Sequence, residues 1–352
     1  MIKYLLYLSI LIWPFGLFLF FKIPQLNQNI YLLDLVVGSL AVLFLLSKKN
    51  RQELIKSDLF KPLALLSFSL VASFLLNLNG KTHQELLSTL FYSARFVCYP
   101  FLFFIAKKQD QKDLLSVSIF AVCLFFLFAI LQYLFLPDLR FFKLLGFDDH
   151  YYRLAGTLLD PNFAGAIISV VAIATLYYSN FSLLLITLIA LGLTFSRASY
   201  VSFISTAVAL GVYTKKTKTL LLIGLLGIII YLSPKPFGEG VNLLRTFSIF
   251  SRLSSWQTGL QLFLAKPIFG WGLQKIAIDN SFIYLLATTG LVGFTAFICL
   301  LKTIYVNIKP LNRLLLFVIL VHSLFNNSLY FIWIYFFFWL ILALEFKEYK
   351  SP

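Results

Sequence analysis

The chain has 352 residues, of which 60% are apolar, 18% aromatic and only 12% charged. Soluble domains run about 45–50% apolar and about 25% charged, so a soluble globular enzyme is excluded. The formal net charge of +15 is of a kind that often marks nucleic-acid binding, but in so apolar a chain the location of the basic residues decides what they mean.

A membrane helix needs about 20 mostly apolar residues to cross a hydrocarbon core of about 30 Å. Such runs recur near 4–21, 28–46, 61–77, 86–106, 114–136, 161–178, 181–195, 198–214, 219–233, 281–301, 313–326 and 328–345. The sequence therefore predicts an all-α polytopic membrane protein with about 12 transmembrane helices, forming a single membrane domain over 1–352. The first run, after Met1-Ile2-Lys3, is too long for the core of a signal peptide and lacks a small-residue cleavage site, so it reads as the first membrane helix. Lysines and arginines gather on alternate connections: Lys48, Lys49, Arg51, Lys56 and Lys61; Lys107, Lys108 and Lys112; Lys215, Lys216 and Lys218; Lys302, Lys309 and Arg313; Lys347 and Lys350. That alternation marks cytoplasmic segments and puts both termini in the cytoplasm. With the basic excess assigned to orientation, nucleic acid is not expected as a partner.

Within the run 86–106, Arg95 is a cation at membrane depth, which needs a polar cavity or a partner. Asp34, at similar depth in the second run, is the nearest candidate. Cys98, Cys123 and Cys299 fall within predicted spans without ligand spacing, so neither a disulfide framework nor a zinc site is expected. His83 reads as a solvated loop residue.

Two outer connections are long, 137–160 and 234–280, and loops of that length in a compact protein usually carry function. The first contains Asp148-Asp149-His150, Arg153 and Asp160-Pro161-Asn162. Asp160 and Pro161 read as a helix start, a side-chain cap followed by proline at the first helical position. Arg153 is not explained by that start. The turn Thr194-Phe195-Ser196-Arg197 places another arginine between two apolar helices, where it needs an anion or carbonyl groups. The second loop holds Arg245, then Arg252 within a segment whose Leu253, Trp256, Leu260 and Phe263 fall at helical spacing up to Lys266-Pro267. That spacing predicts an interfacial helix on the outer surface, with Arg252 and Ser255 on its more polar side. Gly270-Trp271-Gly272 reads as a turn, and Asp279-Asn280-Ser281 opens the next membrane helix, with Asp279 in position to cap it. His322, Asn326 and Asn327 lie at the outer end of the following span.

Several arginines converging on one face of a helical bundle suit a multiply charged anion, because arginine is permanently ionised and grips phosphate in a two-pronged fashion. A lipid diphosphate presents such an anion at the outer leaflet, with a tail that apolar helices hold. No phosphate-cradling glycine loop, DxD pair or His/Cys ligand set occurs, so neither nucleotide nor metal is implied.

These residues resemble the O-antigen ligase and O-antigen polymerase superfamily of bacterial membrane glycosyltransferases. The resemblance covers roughly 150–295. It is carried by Arg153–Gly156 with Asp160-Pro161-Asn162, by Leu193-Thr194-Phe195-Ser196-Arg197, by Arg252 with Trp256 through Pro267 and Gly270-Trp271-Gly272, and by Asp279-Asn280-Ser281 followed by Gly290-Leu291 and Gly293. It implies a GT-C-like fold whose outer loop covers a cavity, in the bacterial cytoplasmic membrane. It also implies transfer of glycan from an undecaprenyl-diphosphate carrier to a glycan or lipid acceptor, with no metal and no cofactor. Carried onto this chain, Arg197, Arg252 and Asp279 become the catalytic candidates, and Arg153, Arg245, Trp256, Asn280 and Arg95 the candidates for binding substrate. Ligases of the family typically have histidine where this chain has Asp279, whereas polymerase-type members more often resemble the Asp-Asn form. The expectation is therefore a polymerase joining lipid-linked oligosaccharide units, with a ligase acting on a lipid or protein acceptor as the alternative. Aspartate acts as a general base when burial raises its pKa, but arginines beside Asp279 are expected to lower it. A lipid-linked glycan flippase is the alternative from another class, and Asp34 and Arg95 at membrane depth are its only support. A non-catalytic scaffold would leave the outer arginines without a role.

Overall fold

In the computed structural model each predicted apolar run falls on a helix, and residues 1–23, 28–79, 81–145, 147–215, 219–236, 239–274 and 276–344 are described. Lys216, Lys218, Lys275, Lys347, Lys350 and the end of the last predicted run at Glu345 lie outside the described residues. The helices are α1 (Ile2–Ile12), α2 (Leu32–Leu46), α3 (Lys48–Lys56), α4 (Phe60–Leu76), α5 (His83–Cys98), α6 (Phe101–Lys107) and α7 (Gln111–Phe135). After the first long loop come α8 (Pro161–Tyr177), α9 (Phe181–Leu193), α10 (Arg197–Thr214), α11 (Thr219–Leu232) and α12 (Phe247–Ala265), then α13 (Ser281–Asn307), α14 (Pro310–Ser323) and α15 (Ile332–Ala343). Three stretches are long and apolar enough to cross a membrane: His83–Lys107, Gln111–Phe135 and Ser281–Asn307. The bent pair α3–α4, folded by 99°, meets the same test when taken together.

Among the described residues three or four spanning stretches thus stand against the twelve expected, and other departures are local. The first run stops being helical at Gly16, whose φ of +56° suits glycine and whose missing Cβ leaves room for the Thr157 carbonyl. The chain then forms a small antiparallel hairpin, β1 (Phe20–Ile23) with β2 (Gln28–Tyr31), pairing Phe20 with Tyr31 and Phe21 with Ile30. Residues 28–31 of the second predicted span are therefore strand. Residues 48–56, read as a bare cytoplasmic connection, are the helix α3, capped by Ser47.

At the centre, α15 is buried along its whole length. Trp13 donates its indole N–H to the Trp333 carbonyl at 2.9 Å and stacks on Phe337. The outward surfaces of other helices carry exposed Phe68, Val71, Phe120, Leu134 and Ile186. Apolar residues on both the inside and the outside of a bundle suit surroundings of lipid rather than water.

The long helix α13 is broken at Gly290, where φ is +65°. A Cβ there would lie 2.2 Å from the Ile268 carbonyl oxygen. The strap Pro267–Gly272 crosses this break and pairs with it: Trp271 and Gly272 donate backbone N–H groups to Ala287 and Thr288, and Leu291 and Val292 donate to Pro267 and Ile268. Gly270 and Gly272 have φ of +65° and +81°, as the expected turn requires. Asn77 and Lys81 tie the strap to the end of α4 through the carbonyls of Gly270 and Trp271. A broken helix inside a bundle persists when a neighbour satisfies its backbone in this way.

Candidate functional site

The site is built around the tight turn between α9 and α10. Phe195 adopts a left-handed φ of +47°, a strained value for a non-glycine residue, and Ser196 caps α10 through the Ser199 N–H. Two cations satisfy the carbonyls that the turn presents. Arg153 donates to the Thr194 carbonyl at 2.8 Å and to the Phe195 carbonyl at 3.2 Å, while Arg245 reaches the same Phe195 oxygen at 3.3 Å. Arg153 is only 4% exposed and does not line the cleft described below, so it braces the turn from behind. Gln132 of α7 holds the segment that carries it, accepting from the Ala155 and Gly156 N–H groups. Burial, with the Arg245 charge beside it, pulls Arg153 down to about 9. Burial and the charges of Arg197 and Arg252 pull Arg245 to about 10.

In front of the turn, Arg197, Val201, Arg252, Leu253, Trp256 and Phe325 line a cleft of ≈ 240 Å³ between α10 and α12. Arg197 donates to the carbonyls of Leu243 and Arg245 and to Ser248 Oγ, at 3.2, 2.9 and 2.5 Å. Arg252 meets Asn326 Oδ1 at 3.3 Å. Among the described residues, none of Arg153, Arg197, Arg245 and Arg252 forms an ion pair with a carboxylate; the five pairs present are elsewhere. Burial holds Arg252 below its ordinary value, with Asp279 opposing that and Arg197 adding to it. Among the described residues these partly buried cations pair with carbonyls, an amide and a hydroxyl, neutral partners that leave their charge uncompensated.

The expected helix over the second loop is α12. It packs on α13 through Gly259, where an added Cβ would stand 2.5 Å from Ile283. Its polar side grips the next candidate by the backbone: Trp256 donates to the Asp279 carbonyl at 3.0 Å, and Ser255 accepts from the Asp279 N–H at 3.2 Å. Asp279 is not the cap of α13. Asn280 takes that place, accepting from the N–H groups of Phe282 and Ile283 and donating to the Leu324 carbonyl. The Asp279 carboxylate is therefore not spent on the helix cap. The expected lowering of its pKa is also reversed, because burial raises it by more than Arg252 lowers it.

Asn280 thus serves as a cap and brace. Arg95 stands apart from the arginine group, forming a two-pronged pair with Asp34 at 2.8 and 2.5 Å, and Tyr99 adds a third hydrogen bond to the same carboxylate. With side chains 11% and 6% exposed, the two ions neutralise each other, as the depth match had suggested. Beneath the cleft, His322 links α14 to the site, with Nδ1 2.7 Å from Ser328 Oγ and Nε2 3.3 Å from the Asn326 amide that meets Arg252. Ser248 and Gln132 were not singled out from sequence. Gln132 alone left a signal, as a lone amide in an apolar run.

Behind the turn, Asp148, His150 and Asp160 come together, with one ligand atom from each within 4.8 Å of the others. Asp160 caps α8 as expected, accepting from the Asn162 N–H at 2.7 Å. No protein-family model matches this chain, and no curated protein matches it.

Proposed function

We propose that the chain is a glycosyltransferase of the O-antigen ligase and polymerase type. On this reading it crosses the bacterial cytoplasmic membrane twelve times with both termini in the cytoplasm, and it joins undecaprenyl-diphosphate-linked oligosaccharides at the outer face. One observation carries the reading: Arg197 and Arg252, without carboxylate partners, line one apolar cleft together with Trp256. An amphiphile with a diphosphate head and a polyprenyl tail complements both halves of that lining.

In the proposed reaction an acceptor sugar hydroxyl attacks the anomeric carbon of the donor. The bond to the carrier diphosphate breaks, and the electron pair leaves on the diphosphate oxygen. Arg197 and Arg252 stabilise the charge that develops there, and the Asp279 carboxylate takes the proton of the attacking hydroxyl. Arg245 and Arg153 keep the turn that carries Arg197 in place. Aspartate in place of the ligase histidine favours the polymerase form.

The test is glycan transfer by the purified chain in lipid vesicles. Arg197→Ala and Arg252→Ala are each expected to slow transfer about 100-fold, the usual effect of removing one donor to a developing anion. Arg→Lys at either position should recover only part of the rate, since a point charge replaces a two-pronged grip. Unchanged polymer yield in both alanine variants would overturn the reading, and carrier translocation without transfer would point to a flippase instead.

A further inference from the structure

We propose that Asp148, His150 and Asp160 form a divalent-cation site that fastens the 137–160 loop to the start of α8. Their ligand atoms lie within 4.8 Å of one another. A six-coordinate ion with bonds of about 2.1 Å places opposite ligands about 4.2 Å and adjacent ones about 3.0 Å apart, so closing around one draws neighbouring ligand atoms together by at most about 1.8 Å. The second observation is His150 itself. Its Nε2 is wholly shielded from solvent and has no hydrogen-bond partner among the described residues, and such buried orphan atoms call for an explanation. A metal ion in reach of the ring is one that also accounts for the two carboxylates.

The cluster is held firmly. The His150 carbonyl accepts from the Leu139 N–H at 2.9 Å, and the Tyr152 N–H donates to Pro137 at 2.8 Å. Asp160 is fixed as the α8 cap. Asp148 has no ion-pair partner among the described residues. Three cations lie near the group: Arg153 is turned to the carbonyls of Thr194 and Phe195, Arg245 to those of Gly240 and Phe195, and Lys143 is paired with Asp149. Two carboxylates with one imidazole suit Mn²⁺ or Zn²⁺ better than Ca²⁺, which prefers an all-oxygen shell. The ion is structural on this account, so the proposal stands whether or not the cleft transfers glycan.

The test uses the full untagged chain in detergent, stripped with EDTA and titrated with Mn²⁺ or Zn²⁺ by calorimetry, with thermal unfolding in parallel. The wild type should bind close to one ion and unfold at a higher temperature when loaded. Asp160→Asn, which retains a capping oxygen, and His150→Gln should each weaken binding by at least about 100-fold, beyond the loss seen when only a supporting residue is removed. Asp149→Asn, an exposed neighbour paired with Lys143, should bind as the wild type does. No stoichiometric binding by the wild type would overturn the proposal. So would equal binding by wild type and Asp160→Asn, or loss in Asp149→Asn as large as in His150→Gln.

Discussion

Asp279 and Arg252 show how local chemistry departs from what residue types suggest. Adjacent arginines lead one to expect an acid weakened as a base, yet burial outweighs Arg252 and leaves the Asp279 pKa above the ordinary carboxylate value. The sign of the pH effect follows. A general base works only when deprotonated, so transfer should fall as pH drops through a pKa higher than the usual value near 4. A bound diphosphate would neutralise Arg252 and move the corresponding limb of the kcat profile, which reports the complex, further up. We expect the acid limb of the pH–rate profile for kcat/KM to lie above the ordinary carboxylate range, and Asp279→Asn to flatten it. An identical acid limb in the variant would remove Asp279 from the role of base. The same residue marks a limit of the sequence. Asp279 and Asn280 are both good capping types, and only the backbone geometry shows that Asn280 fills the cap.

Elements were legible where hydrophobic pattern dictates them and obscure where tertiary partners do. The apolar runs, the Asp160–Pro161 helix start and the amphipathic α12 all follow from periodicity and capping chemistry. The β1–β2 hairpin and the helical α3 did not: the hairpin has a weak local pattern, and α3 is a short charged helix with no buried residue, held by its Ser47 cap rather than by an apolar stripe. The break in α13 is another such case. Gly290 reads as an ordinary helix glycine until the strap is seen to press its carbonyl against the missing Cβ. Gly290→Ala therefore combines a left-handed φ with a collision, and it should destabilise the fold by about 1–3 kcal/mol or more. Thermal unfolding in detergent should show a clear drop in Tm, while Gly224→Ala, with open space around its Cα, should show none. Equal midpoints for the two variants would mean that the strap does not hold the break.

At the scale of the whole molecule, membrane topology joins the fold to the proposed function. Among the described residues three stretches are long and apolar enough to span a bilayer, or four with the bent pair α3–α4, and several shorter apolar helices accompany them. The convergence of Arg153, Arg197, Arg245 and Arg252 around one turn follows from the sequence reading that assigned all four to the same face. Their carbonyl partners were not legible there, since Phe195, Leu243 and Gly240 carry no side-chain signal of that role. Orientation is open to direct measurement. With Cys98, Cys123 and Cys299 replaced by serine, Gln257→Cys on α12 should react with a membrane-impermeant maleimide on intact cells, and Gln52→Cys on α3 only after permeabilisation. The reverse pattern would place the cleft on the cytoplasmic face and remove the proposed donor from reach.

The strap also bears on biosynthesis. Pro267–Gly272 precedes α13 in the chain, so the segment that pairs with the Gly290 break leaves the ribosome before the break itself. A nascent α13 arriving in the bilayer thus meets partners already made, and its open carbonyl groups need not wait in lipid for a later helix.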